Sequence, residues 1–380
     1  VGDLEGGVTA LSTADGSERW SFRTNGQVWT APVVADGHIY VGTDEGVLYA
    51  LVGRSTDADT PSGSVSGAPM AQYGAAGSGY TTDETGPSRT LGVQWRFNTG
   101  GRVGGAVAVV DGTIYVTSGD GALYAVTPTG RQRWRHRTDD PADATPAVAD
   151  GTVYFGAGLN GTTLYAVGPD GSQRWSTEVD ADGRPNGRVV VADETVYLTT
   201  EFSDFNAQLT AVDAASGEQQ WQSTLAEQEA TAPAVADGAV YLADMGTERT
   251  LRAIDAENGT TRWRREFEQG VTGQPTVVEG TVYVPTNSRL YALSTDSGRQ
   301  RWRSDSGEMT LLSSPTVGDN TVYVGGSACH AFVKRDGSVR WTAGEGRFTP
   351  PTGAGGITYS PSRRSRFPRR STRTIRRQSY

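Results

Sequence analysis

The sequence predicts an all-β, eight-bladed β-propeller built from four-stranded antiparallel blades. Three observations carry this. Eight tryptophans recur in one local context at intervals close to 40 residues. Each interval holds the same order of short strands and tight turns. No segment sustains the 3.6-residue apolar period of an amphipathic helix.

The eight tryptophans are Trp20, Trp95, Trp134, Trp175, Trp221, Trp263, Trp302 and Trp341, each preceded by Arg or Gln. Their spacings are 75, 39, 41, 46, 42, 39 and 39 residues. Seven of them have a glycine four positions earlier: Gly16, Gly130, Gly171, Gly217, Gly259, Gly298 and Gly337. Trp95, which ends the long interval, lacks it.

Each tryptophan is followed by a short strand and, in five periods, by a proline: Pro32, Pro146, Pro233, Pro275 and Pro315. A run of small residues then reaches a turn such as Asp36-Gly37, Asp111-Gly112, Asp150-Gly151 or Asp237-Gly238. Asp-Gly between alternating apolar residues is a strong hairpin signal, because both positions of the favoured turn require positive φ. The next strand has the type Val-Tyr-Val-Gly, as in Ile39–Gly42, Val153–Gly156 and Val322–Gly325. After a second turn comes Leu-Tyr-Ala-Val, as in Leu48–Leu51, Leu123–Val126 and Leu290–Leu293. Four short strands in about 40 residues make a propeller blade.

The chain opens with Val8-Thr9-Ala10-Leu11, a third strand with no blade in front of it. The Trp341 period ends at Ile357-Thr358-Tyr359 with no matching last strand. Residues 8–11 are therefore expected to complete the blade that begins after Trp341. Such closure leaves no long strand edge exposed at the seam. Residues 1–360 then form one domain.

Composition limits the function. Hydrophobic residues make up 36% of the 380, and no stretch approaches 18 consecutive apolar residues, so no helix is expected to span a membrane. A single cysteine excludes an intramolecular disulfide and a thiolate metal cluster. Lysine occurs once, at Lys334, against 33 arginines, and eight of those arginines lie in residues 361–380. Residues 1–360 carry 26 basic and 43 acidic groups, a net charge of −17. A body this acidic repels phosphate, which argues against a nucleic-acid partner.

The repeat reads Ala-x-Asp-x-x-(Ser/Thr)-Gly-x-x-x-Trp. Ala211, Asp213, Ser216, Gly217 and Trp221 give its fullest copy, and Ala253, Asp255, Gly259 and Trp263 another. It resembles the tryptophan-docking repeat of pyrroloquinoline-quinone-like propellers over about residues 1–51 and 93–360. The resemblance implies that the eight tryptophans are structural, packed between neighbouring blades. One large aromatic at a fixed offset in every period reads as core on its own terms. The family has two branches. Quinoprotein dehydrogenases bind the quinone and Ca²⁺ on the propeller axis. Non-enzymatic members, including the outer-membrane assembly lipoprotein of Gram-negative bacteria, act as scaffolds. An acid excess with almost no lysine is also the composition of proteins from salt-loving archaea, where salt screens self-repulsion. A genome rich in G and C also favours arginine over lysine.

Two segments depart from the repeat. Residues 53–92 interrupt the first blade. Of these, 55–68 are rich in Ser, Gly, Asp, Thr and Pro and read as a flexible linker. The stretch from Met70 through Gly86-Pro87 to Trp95 looks like the leader that opens many of these propellers. The first 51 residues are then either a permuted blade or the remnant of a preceding propeller. Residues 361–380 form an Arg-rich tail expected to be disordered. It reads as a basic arm for anionic lipid or nucleic acid, or as a shifted reading frame.

No catalytic constellation stands out. His38 follows an Asp-Gly turn and His136 follows a docking tryptophan, and both are expected at the surface. Cys329 and His330 replace the Leu and Tyr of a third strand. Adjacent strand residues point to opposite faces, so they do not form a nucleophile–base pair, and Cys329 reads as a small core residue. Gly119-Asp120-Gly121 precedes no helix and reads as a hairpin turn rather than a phosphate cradle. The acid-rich loop that fits no repeat position is 201–206; Glu201, Phe202, Asp204 and Phe205 are a candidate recognition patch against the plainer reading of a long inter-strand loop. Two Asn-Gly-Thr sequons, at Asn160 and Asn258, coincide with expected turns.

These readings lead to a non-catalytic, monomeric scaffold that binds a protein or cell-surface partner. By resemblance it belongs in the cell envelope, without quinone, calcium or other metal. The alternative is a quinone- and calcium-dependent dehydrogenase. The enzyme reading is weakened because the dehydrogenases are longer and commonly carry a disulfide of adjacent cysteines beside the quinone.

Overall fold

A computed structural model describes residues 6–53, 68, 74–75, 78, 80–81, 91–159, 161–180, 182–201, 207–225, 230–244, 248–304, 310–344, 347–348, 351–354, 357–360 and 362–363. All regular structure among them is β-strand and turn.

Seven four-stranded antiparallel sheets follow one another in chain order, each a meander of four consecutive strands except where the insertion intervenes. Blade 1 comprises Val33–Ala35, His38–Gly42, Val47–Gly53 and Leu91–Asn98, with the insertion between its last two strands. Blade 2 begins at Ala108–Val110, blade 3 at Ala147–Ala149, blade 4 at Arg184–Ala192, blade 5 at Ala234–Ala236, blade 6 at Thr276–Val278 and blade 7 at Thr316–Val317. First strands of successive blades touch one another at most junctions, so these strands line the axis.

The eighth sheet closes the ring. Gly7–Ser12 pairs with Ile357–Ser360 in the register Ala10↔Tyr359, and Glu18–Arg23 lies outside it. Thr352–Ala354 lies inside. The expectation of eight four-stranded blades is corrected here: the described residues give seven, and the closing sheet has five strands. The added strand is Tyr80–Thr81 from the insertion, parallel to Thr352–Ala354 at its inner edge. An innermost strand has one row of backbone groups without a neighbour in its own sheet, and here the insertion supplies it.

The turns explain the local geometry. Asp36 and Gly37 have φ of 51° and 72°, and the same positive pair recurs at Asp111-Gly112, Asp150-Gly151 and Asp237-Gly238. This is the turn whose twist matches two antiparallel strands. Blade 4 makes it with Asp193 and Glu194 at 46° and 60°, with no glycine.

Each outer hairpin carries a register shift beside its alanine, at Ala50/Leu51, Ala125/Val126 and the equivalent sites. The bulge leaves Ala opposite Trp, as in Ala125↔Trp134 and Ala211↔Trp221. Second strands are buried on both faces, which accounts for their unbroken apolar character. Fourth strands alternate exposed and buried positions. The core is a ring of layers between blades: Tyr154 and Leu164 of blade 3 join Val196 and Leu209 of blade 4 and Val240 of blade 5 in one cluster.

At the other end, Ser362–Arg363 pairs with Arg347–Phe348. The remainder of the Arg-rich tail, 361 and 364–380, lies outside the described residues.

Candidate functional site

The tryptophan girdle is built first. Trp95 of blade 1 donates its indole N–H to the carbonyl of Pro128 in blade 2 at 2.7 Å. The pattern repeats from Trp134 to Pro169, Trp175 to Ala214, Trp221 to Ala256, Trp263 to Thr295, Trp302 to Lys334 and Trp341 to Thr13, at 2.7 to 3.0 Å. Each acceptor lies in the turn between third and fourth strands of the next blade. In that turn the motif glycine lies against the indole: a Cβ on Gly217 would sit 2.7 Å from the Trp175 ring. Gly217 also has φ +77°, so two independent reasons call for glycine. The tyrosine of each second strand packs on the tryptophan of its own blade, as in Tyr197–Trp221 at 6.0 Å and Tyr323–Trp341 at 5.8 Å. Burial pushes the phenols of Tyr115, Tyr154, Tyr197 and Tyr283 up, and that of Tyr241 to about 12, where Asp237 adds to the effect.

Trp20 is the member whose next turn is the interrupted one. It is 6% exposed and packs with Val8, Ala10, Tyr49 and Leu91, the residue at which the chain returns from the insertion.

Cys329 and His330 are both buried in blade 7. Burial pushes the Cys329 thiol up to about 12 and the His330 imidazole down to about 4. His330 Nδ1 lies 3.2 Å from Thr342 Oγ1, and its ring packs toward Phe332. Both shifts disfavour the charged forms that catalysis would use.

The two other histidines are half-buried rather than on the surface, because each finds an aromatic neighbour. His38 stacks on Tyr40, with Nδ1 2.7 Å from the Asp36 carbonyl. His136 meets the edges of Phe155 and Tyr165.

One end of the propeller carries the turns between second and third strands and the connections to the next blade. Glu201 lies there and accepts from Arg184 at 3.3 Å. Phe202, Asp204 and Phe205 lie outside the described residues. The same end carries Trp29 and Leu159, 51% and 57% exposed.

This end also holds a polar cluster that sequence reasoning missed. Asp120 Oδ2 accepts from the Tyr124 hydroxyl at 2.5 Å, from Arg135 at 2.8 Å and from the Gly100 backbone N–H at 3.1 Å. The Arg135 guanidinium lies 5.0 Å from the centre of the Tyr124 ring. Arg102 and Asp143 pair next to it at 2.7 Å. Burial, then the Asp120 carboxylate, pushes Tyr124 up to about 12. Gly119-Asp120-Gly121 is indeed a hairpin turn, but its aspartate ties blade 2 to the strand that enters it. Arg188, on the inner strand of blade 4, was also unmarked in the sequence. It is 3% exposed, donates to the Pro233 carbonyl of blade 5 at 3.3 Å, and burial lowers its guanidinium to about 9.

The axis is where the insertion reappears. Val109 of blade 2 donates its backbone N–H to Ala68 at 2.7 Å, Val235 of blade 5 to Ala75 at 2.9 Å, and Val317 of blade 7 to Ser78 at 2.7 Å. Residues 54–67 and 82–90, which include most of the stretch expected to be a flexible linker, lie outside the described residues.

A family model described as outer membrane protein assembly factor BamB matches residues 1–59, 88–228 and 205–350. The chain belongs to this family. The matches flank the insertion and leave its middle uncovered. Among solved structures, BamB from Moraxella catarrhalis is 18% identical with a TM-score of 0.56, over 97% of this chain and 94% of that one. The computationally designed Ika8 protein is 12% identical with a TM-score of 0.68, over 88% and 93%. A europium-containing methanol dehydrogenase is 13% identical with a TM-score of 0.66, over 88% and 81%. At these identities the likeness shows the fold alone. The comparison with curated proteins returned no match. No helix among the described residues is long and apolar enough to cross a membrane.

Proposed function

We propose that this protein is a non-catalytic propeller scaffold that binds a protein partner in the cell envelope. The observation that carries the reading is the family match, which covers the repeats on both sides of the insertion and bears the description of an assembly factor. The face with Trp29, Leu159 and Glu201 is the proposed docking side. It combines exposed apolar side chains with fixed charges, the mixture from which interface anchors and rims are made. The protein acts as a monomer, takes no metal, and does not bind nucleic acid, whose phosphates its acidic body repels. The eight docking tryptophans, including Trp20, hold the blades and do not contact the partner.

The test is chemical cross-linking in an envelope fraction, with Trp29→Ala and Leu159→Ser beside the unaltered chain. A discrete cross-linked partner that both substitutions weaken supports the reading. A partner retained equally by both variants removes this face from it.

The second reading is a quinone- and calcium-dependent dehydrogenase, which the fold shared with methanol dehydrogenase keeps in view. Backbone contacts from Ala75 and Ser78 reach the first strands of blades 5 and 7, which weighs against an open axial site. Equilibrium dialysis against pyrroloquinoline quinone, with and without Ca²⁺ and in about molar KCl to screen the acidic surface, separates the two. Calcium-dependent binding at micromolar or tighter affinity would favour the enzyme.

A further inference from the structure

We propose that Asn258 is an N-glycosylation site: its side-chain amide nitrogen carries a sugar chain at the end of the propeller opposite the docking face. The inference rests on the envelope reading above, because this modification belongs to secreted chains. The site is the turn between the third and fourth strands of blade 5, Thr250–Asp255 and Thr261–Glu266. Asn258, Gly259 and Thr260 form the acceptor pattern Asn-x-Thr with no proline between. Asn258 and Thr260 are both exposed. Asn258 Oδ1 accepts from the Thr260 backbone N–H at 3.0 Å and from the Thr260 hydroxyl at 2.6 Å. A backbone N–H only donates, so the amide oxygen faces the turn and the nitrogen faces away from it. Nδ2 has no hydrogen-bond partner among the described residues.

Three other sheets show what the turn itself requires. Asp15, Asp170 and Asp336 occupy the same place before the motif glycine. Each accepts from the backbone N–H and the hydroxyl of the serine two residues on, at 2.6 to 3.1 Å. A carboxylate therefore satisfies this turn. Asparagine reproduces both bonds with one oxygen and adds an outward amide nitrogen that the turn does not use. The position suits a bulky hydrophilic chain. Turns between third and fourth strands lie at the opposite end from Trp29, Leu159 and Glu201, so the sugar leaves the docking end open. Gly259 packs on the Trp221 ring and Ala256 accepts from its indole at 2.9 Å, so the sugar stands over the junction of blades 4 and 5. In the transfer, Nδ2 bonds to the anomeric carbon of an oligosaccharide carried on a lipid phosphate. The bond from that carbon to the phosphate oxygen breaks, the lipid phosphate leaves, and one Nδ2 proton goes to solvent. The other sequon, at Asn160, lies outside the described residues.

Peptide mass spectrometry of the intact chain recovered from its own cells, after separating envelope from cytoplasm, tests this. The tryptic peptide Ala253–Arg262 from the envelope fraction is expected to be heavier by whole sugar units, with the first sugar on Asn258. Asn258→Asp keeps the acceptor oxygen that three other turns use. It is expected to abolish the added mass while the urea midpoint and the tryptophan near-ultraviolet dichroism stay unchanged. Thr260→Ser keeps the hydroxyl and is expected to retain the added mass. An unmodified Ala253–Arg262 in chain from the envelope overturns the proposal and leaves the scaffold reading standing. Sugar found on Thr260 or Thr261 in place of Asn258 overturns it as well. An unmodified chain recovered only from the cytoplasm overturns both the envelope reading and this one.

Discussion

The indole of Trp341 donates to the backbone carbonyl of Thr13 at 3.0 Å, joining residues 328 positions apart. The same contact recurs between blades elsewhere in the ring, but here it latches two distant parts of the chain. It acts together with the strand pairing of Gly7–Ser12 on Ile357–Ser360. Trp341→Ala is expected to destabilise the fold by about 3–5 kcal/mol, as for other buried tryptophans. Exchange at residues 7–23 should rise before exchange at blades 3 to 5. Urea unfolding with peptide-resolved exchange checks both. Equal loosening around the ring would show that the latch has no special role.

Gly217 tests the docking geometry from the other side. Gly217→Ala places a methyl 2.7 Å from the Trp175 ring at φ +77°. The strained backbone alone costs about 1–2 kcal/mol, and the clash adds to it. Gly151→Ala is the control. It has a similar φ of +69° but nothing within 4 Å of the added methyl, so it should lose only the backbone part. The difference in urea midpoint between the two variants measures the clash.

Glu194 offers the opposite sign. It occupies the second turn position at φ 60°, where four other blades place glycine after aspartate. Glu194→Gly should stabilise the protein by about 1 kcal/mol, since glycine takes this conformation without steric cost. A lower thermal midpoint in this variant would contradict the account.

His330 sets a pH dependence. Burial holds its folded-state pKa near 4, below the ordinary value of 6.5. Between those values the unfolded chain takes up a proton and the folded chain does not. Stability from this residue is therefore complete above pH 6.5 and falls as pH drops toward 4. His330→Phe, which matches the aromatic usual at this repeat position, should flatten the curve in that window. Denaturant midpoints at matched pH values decide it.

Salt gives a fifth test. With 43 acidic groups against 26 basic ones in residues 1–360, raising KCl from about 0.1 M to about 2 M should raise the thermal midpoint by screening self-repulsion. A midpoint that falls with salt would remove the salt-adaptation reading of the composition.

The ring, its meandering sheets and its seam were legible because each rests on a local signal repeated many times. Asp36-Gly37 announces its turn by chemistry, and Val8–Leu11 announces the seam by being a third strand without a blade. The fifth strand of the closing sheet was not legible. Strand addition uses backbone groups, and Tyr80–Thr81 carries no alternating pattern to mark it. The cluster of Asp120, Tyr124 and Arg135 was hidden for a different reason. Its members sit at ordinary turn and strand positions, and only the pairing of the third and fourth strands of blade 2, with Tyr124 opposite Arg135, brings them together. Candidate residue Glu201 was legible as a loop acid, but its partner Arg184 comes from another strand and no sequence spacing pairs them.

Closing the ring with strands from both ends of the sequence also sets a schedule for biosynthesis. Thr13 leaves the ribosome 328 residues before Trp341 does. At ordinary elongation speeds of 5–20 residues per second that interval is about 15–65 s. Throughout it, Gly7–Ser12 has an unmatched edge, and the apolar side chain of Leu11 lacks Tyr323, Cys329 and Trp341, against which it packs. The growing propeller is then an open arc with a sticky strand on its unclosed side, so it has the greatest need of a chaperone before the last blade is made.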